Sequence, residues 1–287
     1  MTLPKYWQFG LVGYPLEHSL SPVLHQAALA SAGLCGDYRL VPLSSAQELP
    51  LVLEKLRAGE LDGINVTIPY KQAVIPYLDG LSPAAGAIGA VNTVVVKEGS
   101  LIGENTDAPG FWKDLCDHVP SCQDPGQAAL VLGAGGAARA IVYALAKQGW
   151  QITLASRRLA QAELLADTLE FPTITVVSWN SLNKPSFLTK FNLMVNTTPL
   201  GLFPDIEHSP LDPAVKLPAK MVVYDLVYNP PWTALLKNAA VQGNQCINGL
   251  GMLVNQAAAA FEYWTGKTAA VEKMTQALHE KLGLEEK

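Results

Sequence analysis

The chain has 287 residues, 49% of them hydrophobic and only 16% charged, with a formal net charge of −5. That length and apolar content allow one large or two ordinary domains with a sizeable core. The mild acidity argues against nucleic acid as a partner, because phosphate neutralisation needs clustered Lys and Arg, and no polybasic segment suggests a membrane surface.

Taken in chain order, the first third alternates strand and helix signals. "QFGLVG" reads as a strand, and "SPVLHQAALASAG" as a helix that opens at Ser21, with Ser21 as N-cap and Pro22 at the first helical position, and ends at Gly33. "DYRLVPL" is the next strand, "AQELPLVLEKLRAG" the next helix, and "LDGINVTI" a strand that Pro69 terminates. "AVNTVVVKEGSLIGENTD" reads as two strands joined at "KEGS", a hairpin. From Cys116 to Gln127 the chain is a polar, proline-containing connector.

A second α/β run follows. "AALVLGAGGAARAIVYALAKQGWQITLASRR" is strand, glycine loop, helix, strand; "TITVVS", "LMVNTTP" and "KMVVYDLVY" supply further strands; and "GMLVNQAAAAFEYWTG" and "AAVEKMTQALHEKLG" are terminal helices. Repeated strand–helix–strand units imply helix-covered, mostly parallel sheets. The fold class is therefore α/β, with an N-terminal domain on a mostly parallel sheet and a second, Rossmann-type domain.

The four cysteines, Cys35, Cys116, Cys122 and Cys246, form no C-x-x-C pair and lie at no metal-ligand spacing from histidine. They read as free thiols in a reducing compartment, with no metal site. No basic region followed by a long apolar run and cleavage site opens the chain, and no window reaches transmembrane length. The expectation is a cytoplasmic protein with no membrane partner.

Gly133, Gly135 and Ala138 in "VLGAGGAARA" match G-x-G-x-x-[G/A] between a strand and a helix. In that context the glycines permit a tight turn and close backbone approach to a pyrophosphate, while the helix N-terminus offers unpaired N–H groups to the anion. An NAD site usually places a carboxylate at the end of the next strand. Here Ser156, Arg157 and Arg158 stand there, and guanidinium groups pair with a 2′-phosphate, so the cofactor expected is NADP. The blander reading of those arginines is a solvated basic turn.

Polar groups recur at strand ends of the first domain: Ser19 and Ser21, then Asn65, Thr67 and Lys71, then Asn92 and Asp107. Ligands of open α/β sheets bind beyond the carboxyl ends of strands, and period-two alternation puts Asn65 and Thr67 on one side. Individually each has an ordinary role, as cap, turn or surface residue. Together they supply hydroxyls, amides and an ion pair suited to a polyhydroxylated carboxylate. His18 and His25 read as neighbours explained by packing or exposure.

With "HSLSP", "NVTIPYK", "AVNT", "ENTD", "GAGGAARA", "NTTPLG" and "GLGMLVNQA" in this order, the chain resembles the shikimate dehydrogenase family over nearly its whole length. The resemblance implies NADP-dependent, reversible reduction of 3-dehydroshikimate to shikimate. It implies a substrate domain at 1–106, an NADP domain at 107–249, and helices at 250–287 that pack back on the substrate domain. Lys71 and Asp107 would be the catalytic pair. Ser19, Ser21 and Tyr228 would hold the carboxylate, and Asn65, Thr67, Asn92 and Gln256 the ring hydroxyls. Gly133, Ala134, Gly135, Gly136 and Ala137 would hold the pyrophosphate, with Thr197 and Thr198 near the cofactor and Leu226, Gly249 and Met252 toward its nicotinamide end.

The chain departs from the family's Asn-Arg-Thr signature and later Arg, having Ser156-Arg157-Arg158 and Gln161 instead. Rivals are a quinate/shikimate dehydrogenase using NAD, a non-catalytic dinucleotide-binding regulatory module, and another two-domain NADP dehydrogenase. Ser21 and the arginines speak against the first, the retained Lys71 and Asp107 against the second, and the serine pair, asparagines and Gln256 against the third. The small-molecule substrate is the partner expected, and a homodimer is left open.

Overall fold

The computed structural model describes residues 5–284; residues 1–4, at the start of the N-terminal segment, and residues 285–287, at the end of the segment 250–287, lie outside the described residues. Residues through Gly110, joined by those from Val254 on, form one compact unit, and Phe111–Leu253 forms another.

The first unit is built on β1 (Tyr6–Gly13), α1 (Ser21–Ser31), β2 (Cys35–Pro42), α2 (Leu49–Arg57), β3 (Gly63–Val66), β4 (Gly80–Leu81), α3 (Pro83–Ile88), β5 (Thr93–Lys97) and β6 (Ser100–Glu104). The strand order is β2-β1-β3-β5-β6-β4. Only β5 runs against its neighbours; it is antiparallel to both β3 and β6, whereas the other pairs are parallel. The β5–β6 turn uses Glu98 at φ +51° and Gly99 at φ +80°, the left-handed pair that a two-residue hairpin requires. Reversal has a geometric result. The start of an antiparallel strand lies at the same edge as the ends of its parallel neighbours, so Asn92, just before β5, meets the ends of β3 and β6.

One face of this sheet, including Val12, Ile64, Val66 and Val94, packs on Leu49, Val52, Leu53 and Leu56 of α2. On the other face Trp264, from the long helix Leu250–Thr265, stacks on Phe9 and donates from Nε1 to the Val94 carbonyl. A Cβ on Gly63 would stand 2.2–2.6 Å from the Trp264 indole, so only glycine lets that ring close on the sheet.

The next element along the chain is α4 (Asp107–His118), a helix that the sequence pattern does not announce; its last turn includes Cys116–His118, assigned above to a connector. The second unit continues with β7 (Ala128–Leu132), α5 (Gly136–Lys147), β8 (Gln151–Ser156), α6 (Leu159–Leu169), β9 (Ile174–Ser178), α7 (Pro185–Leu188), β10 (Leu193–Asn196), β11 (Val222–Asp225), α8 (Ala234–Val241) and β12 (Gln245–Asn248). Its strands are all parallel, in the order β12-β11-β10-β7-β8-β9. Counted from β7, this is the 3-2-1-4-5-6 order of a dinucleotide-binding sheet, whose strand order reverses between β7 and β10. The run "QCIN" of β12 carried no strand signal of its own. The chain closes with α9 (Leu250–Thr265), the helix that bears Trp264, and α10 (Val271–Leu282), which packs against α1.

Two other boundaries differ from expectation. The N-cap of α1 is Leu20, which has no side-chain cap bond, and Ser21 is already helical; the Ser19 hydroxyl instead accepts from the Ser21 N–H at 3.3 Å. β3 stops at Val66, although the Thr67 N–H still donates to the Val12 carbonyl at 2.8 Å and the Ile68 carbonyl accepts from Tyr14.

Candidate active site

A continuous hydrogen-bonded chain runs through the first unit. Lys71 Nζ donates to Asp107 Oδ2 at 2.5 Å, with both side chains largely withdrawn from solvent. Asn92 Nδ2 donates to the other carboxylate oxygen at 2.9 Å and to the Thr106 hydroxyl at 2.9 Å, while its Oδ1 accepts from the Thr106 N–H at 2.7 Å. Asn65 Nδ2 donates to the Asn92 carbonyl at 3.1 Å and to Thr93 Oγ1 at 3.0 Å. Tyr38 donates its hydroxyl to Asn65 Oδ1 at 2.8 Å, and Ser21 hydrogen-bonds the same tyrosine oxygen.

The backbone explains the convergence. The Lys71 carbonyl accepts from Val91, and the Asn92 N–H donates to Glu104, which ties the lysine turn and the β6 end to the start of β5. Tyr38, Phe9 and Gly63 share one register, and Asn65 follows Gly63 by two, so tyrosine and asparagine share a face. Thr67 packs close to Gly13, where a Cβ would lie 2.4 Å from its methyl, and its hydroxyl makes no hydrogen bond among the described residues. Gly110 permits a second close approach: a Cβ there would lie 2.8 Å from the Gln256 backbone nitrogen, setting Gln256 one helical turn along from Asp107. The structure thus joins Ser21, Asn65, Lys71, Asn92 and Asp107 in one chain of bonds, ties Ser19 to Ser21, and places Gln256 on the helix packed at Gly110. Tyr228 is half-buried in the second unit, its phenol pKa raised by burial.

Tyr38, Thr93 and Thr106 were not anticipated. Tyr38→Phe is expected to leave Asn65 Oδ1 buried without its donor, a penalty of about 1–3 kcal/mol. The expected result is a lowered unfolding midpoint, checked by urea unfolding.

His25 is fully buried, stacked on Tyr38 with centroids 4.2 Å apart and an angle of 4° between planes. Among the described residues neither ring nitrogen has a hydrogen-bond partner; the Asn65 amide lies near without the geometry of a bond. Burial pushes the imidazole pKa from 6.5 down to about 3. The folded state therefore binds this proton less readily than the unfolded chain, and stability is complete above about pH 6.5 and is lost as pH falls toward 3. In His25→Leu the acid-side decline should be shallower than in the parent, as read by urea unfolding across that pH range.

In the second unit, Gly133 adopts φ +105°, and a Cβ on it would meet Thr197 Oγ1 at 2.8 Å and the Thr198 methyl at 3.0 Å. The glycine loop after β7 and the threonine pair after β10 therefore lie against one another at the reversal of strand order. Thr197 donates its hydroxyl to the Leu132 carbonyl at 2.6 Å and Thr198 to Asn196 Oδ1 at 2.7 Å. At Gly135, φ is −85° and nothing lies within 4 Å of where a methyl would stand, leaving open room above the first turn of α5. Ala134 is buried, while Gly136 and Ala137 start the helix.

Ser156 ends β8, and its hydroxyl is held by the Arg158 backbone at 3.1 Å. Arg157 and Arg158 are exposed and make no ion pair among the described residues, so both guanidinium groups are available to an anion. The open space at Gly135, the unpaired helix N–H groups and the free arginines fit a dinucleotide carrying a 2′-phosphate. Gly249 packs on the Leu226 backbone, where a Cβ would lie 2.1 Å from the carbonyl oxygen. Met252 donates its N–H to the Tyr224 oxygen, and Tyr224 in turn donates to the buried Asp114 at 2.5 Å. This relay, also missed in the sequence, fixes the first turn of α9 in this unit, where Met252 sits just after Gly249.

Against known proteins, a family model for the shikimate dehydrogenase substrate binding domain matches residues 11–94, and one for the shikimate 5′-dehydrogenase C-terminal domain matches residues 249–279. A shikimate dehydrogenase (NADP+) of Shouchella clausii is 43% identical over 260 residues, covering 91% of this chain and 93% of the relative. The chain belongs to the shikimate dehydrogenase family. A shikimate dehydrogenase solved in complex with NADP+ superposes with a TM-score of 0.88 at 36% identity, covering 96% of each chain. The shikimate dehydrogenase from Thermus thermophilus, solved with NADP(H) and shikimate, gives 0.85 at 38% identity, covering 96% of this chain and 99% of that one.

Among the described residues no group of three or more His, Cys, Asp or Glu is arranged to hold a metal ion, and no helix is long and apolar enough to cross a membrane.

Proposed function

We infer that this protein is an NADP-dependent shikimate dehydrogenase, interconverting 3-dehydroshikimate and shikimate in aromatic biosynthesis. The observation that carries the reading is the Lys71–Asp107 pair at 2.5 Å, held by Asn92 at the ends of β3 and β6. The first unit is taken as the substrate domain and the second as the cofactor domain, and the cytoplasm as the setting.

NADPH, held by the glycine loop and the arginines, would supply a hydride for the substrate carbonyl carbon. Negative charge then builds on the carbonyl oxygen, and the Lys71 ammonium is assigned to stabilise that charge and to deliver the proton. Asp107 holds the ammonium in place, and Asn92 holds Asp107. Thr67, with an uncommitted hydroxyl, is assigned to the ring hydroxyls together with Asn65, Asn92 and Gln256; Ser19, Ser21 and Tyr228 are assigned to the carboxylate. Gly133 to Ala137 would hold the pyrophosphate, Ser156, Arg157 and Arg158 the 2′-phosphate end, Thr197 and Thr198 the loop beside the pyrophosphate, and Leu226, Gly249 and Met252 the nicotinamide end.

The test is initial rates with shikimate or quinate, each with NADP+ or NAD+. Efficient turnover with shikimate and NADP+ alone is the expected result. Comparable quinate turnover, or preference for NAD+, would transfer the protein to the broader-specificity branch; no turnover at all would overturn the catalytic reading.

A further inference from the structure

The sulfurs of Cys116 and Cys122 lie 2.9 Å apart, and both cysteines are free. Cys116 is partly exposed on the last turn of α4; Cys122 is 1% exposed in the turn Pro120–Gln123. Both ends of this pair are fixed by backbone bonds. Val119 donates to the Leu115 carbonyl at 2.8 Å, Cys122 donates to the Val119 carbonyl at 2.9 Å, and Trp150 Nε1 donates to the Cys122 carbonyl at 3.1 Å. A disulfide needs a sulfur separation of about 2.05 Å, so closure demands a shift of about 0.9 Å from the present 2.9 Å. Among the described residues the other two thiols have no sulfur neighbour: Cys35 is exposed, and Cys246 points at the Leu236 and Asn244 carbonyls.

We propose that Cys116 and Cys122 form a redox-modification site that closes to a disulfide on contact with a hydroperoxide. Cys116, the accessible thiol, attacks the peroxide; the O–O bond breaks, an S–O bond forms, and one water leaves. The Cys122 sulfur then attacks the Cys116 sulfenic acid; the S–S bond forms, the S–O bond breaks, and the Cys122 proton leaves with the hydroxyl as a second water. Two thiols are oxidised by two electrons and one hydrogen peroxide is reduced to two waters. Burial and the neighbouring Cys116 push the Cys122 thiol up to about 12, which suits a resolving thiol that stays protonated and unreactive until its neighbour is oxidised. In a reducing compartment such a bridge is transient, and its use is to intercept the sulfenic acid before further oxygens add irreversibly.

The two cysteines share one tryptic peptide, because no Lys or Arg intervenes between Lys113 and Arg139. Whole folded protein is treated with hydrogen peroxide, alkylated, digested and weighed. The expected result is an unalkylated 114–139 peptide about 2 Da lighter than the dithiol form, restored by dithiothreitol. In C122S the same treatment should drive Cys116 on to sulfinic or sulfonic acid. In C116S, Cys122 should stay reduced and become alkylated only after denaturation. If the parent peptide stays fully reduced under peroxide that oxidises Cys35, or if Cys116 gains several oxygens in the parent as readily as in C122S, the proposal is overturned.

Discussion

Lys71→Ala will lower kcat by about 10²–10⁴-fold while shifting the KM for shikimate only a few-fold. The reasoning is that the ammonium acts on charge that exists only as the carbonyl becomes an alkoxide, whereas the ground-state ring is held by several other groups. Truncation also strips the Asp107 carboxylate of its counter-ion. That carboxylate keeps the Asn92 bond at 2.9 Å, so the fold should survive with a reduced unfolding midpoint. Asp107→Asn is the companion variant: it retains the side-chain shape and loses the charge that holds the ammonium. Steady-state kinetics with thermal unfolding on the same samples decide the matter. A collapse of affinity with turnover preserved would show that Lys71 binds and does not act on the reacting oxygen.

The second large effect separates two glycines of one loop. Gly133→Ala must place a methyl at φ +105° and 2.8 Å from Thr197 Oγ1, so it should destabilise the second unit by about 1–3 kcal/mol and weaken NADP+ binding with it. Gly135→Ala meets no atom within 4 Å and sits at an ordinary φ of −85°, so its unfolding midpoint without ligand should match the parent. Its methyl nevertheless projects into the space where the backbone must approach a pyrophosphate. The expected outcome is an NADP+ dissociation constant raised at least about tenfold, by titration calorimetry, with stability unchanged. Wild-type affinity in Gly135→Ala would remove the pyrophosphate from this loop.

What could be read from the sequence was what local geometry enforces. The glycine loop announces itself because a turn, a close approach and a helix start must fall at fixed spacing. Asn65 and Asn92 were legible because each interrupts an apolar run, and Asp107 because it closes the polar run Glu104–Asp107 at the end of β6. The groups that were not legible are those whose partners lie far along the chain. Tyr38 is an ordinary inward residue of β2 until it meets Asn65, 27 positions on. Asp114 and Tyr224 are separated by 110 positions and look like a solvated acid and a strand aromatic. The helix α4 was hidden because Pro109 and Gly110 sit in its first turn; the glycine is there for the passage of Gln256, a demand of packing and not of helix propensity. Sequence alone does not separate Ser21 as a cap from Ser21 as a first-turn residue, because both positions draw on the same amino acids and only backbone geometry puts Leu20 at the cap.

The lone reversed strand also determines where this protein can be rebuilt. Because β5 starts at the edge that carries Asn92, its hairpin tip at Glu98–Gly99 falls at the opposite edge, exposed to solvent. That tip faces away from Lys71 and Asp107 at the end of strands whose core residues, Val94 and Leu101, are already buried. A fluorescent reporter or affinity handle spliced between Glu98 and Gly99 would therefore ride on the enzyme without touching its chemistry, as would new chain termini opened at the same point.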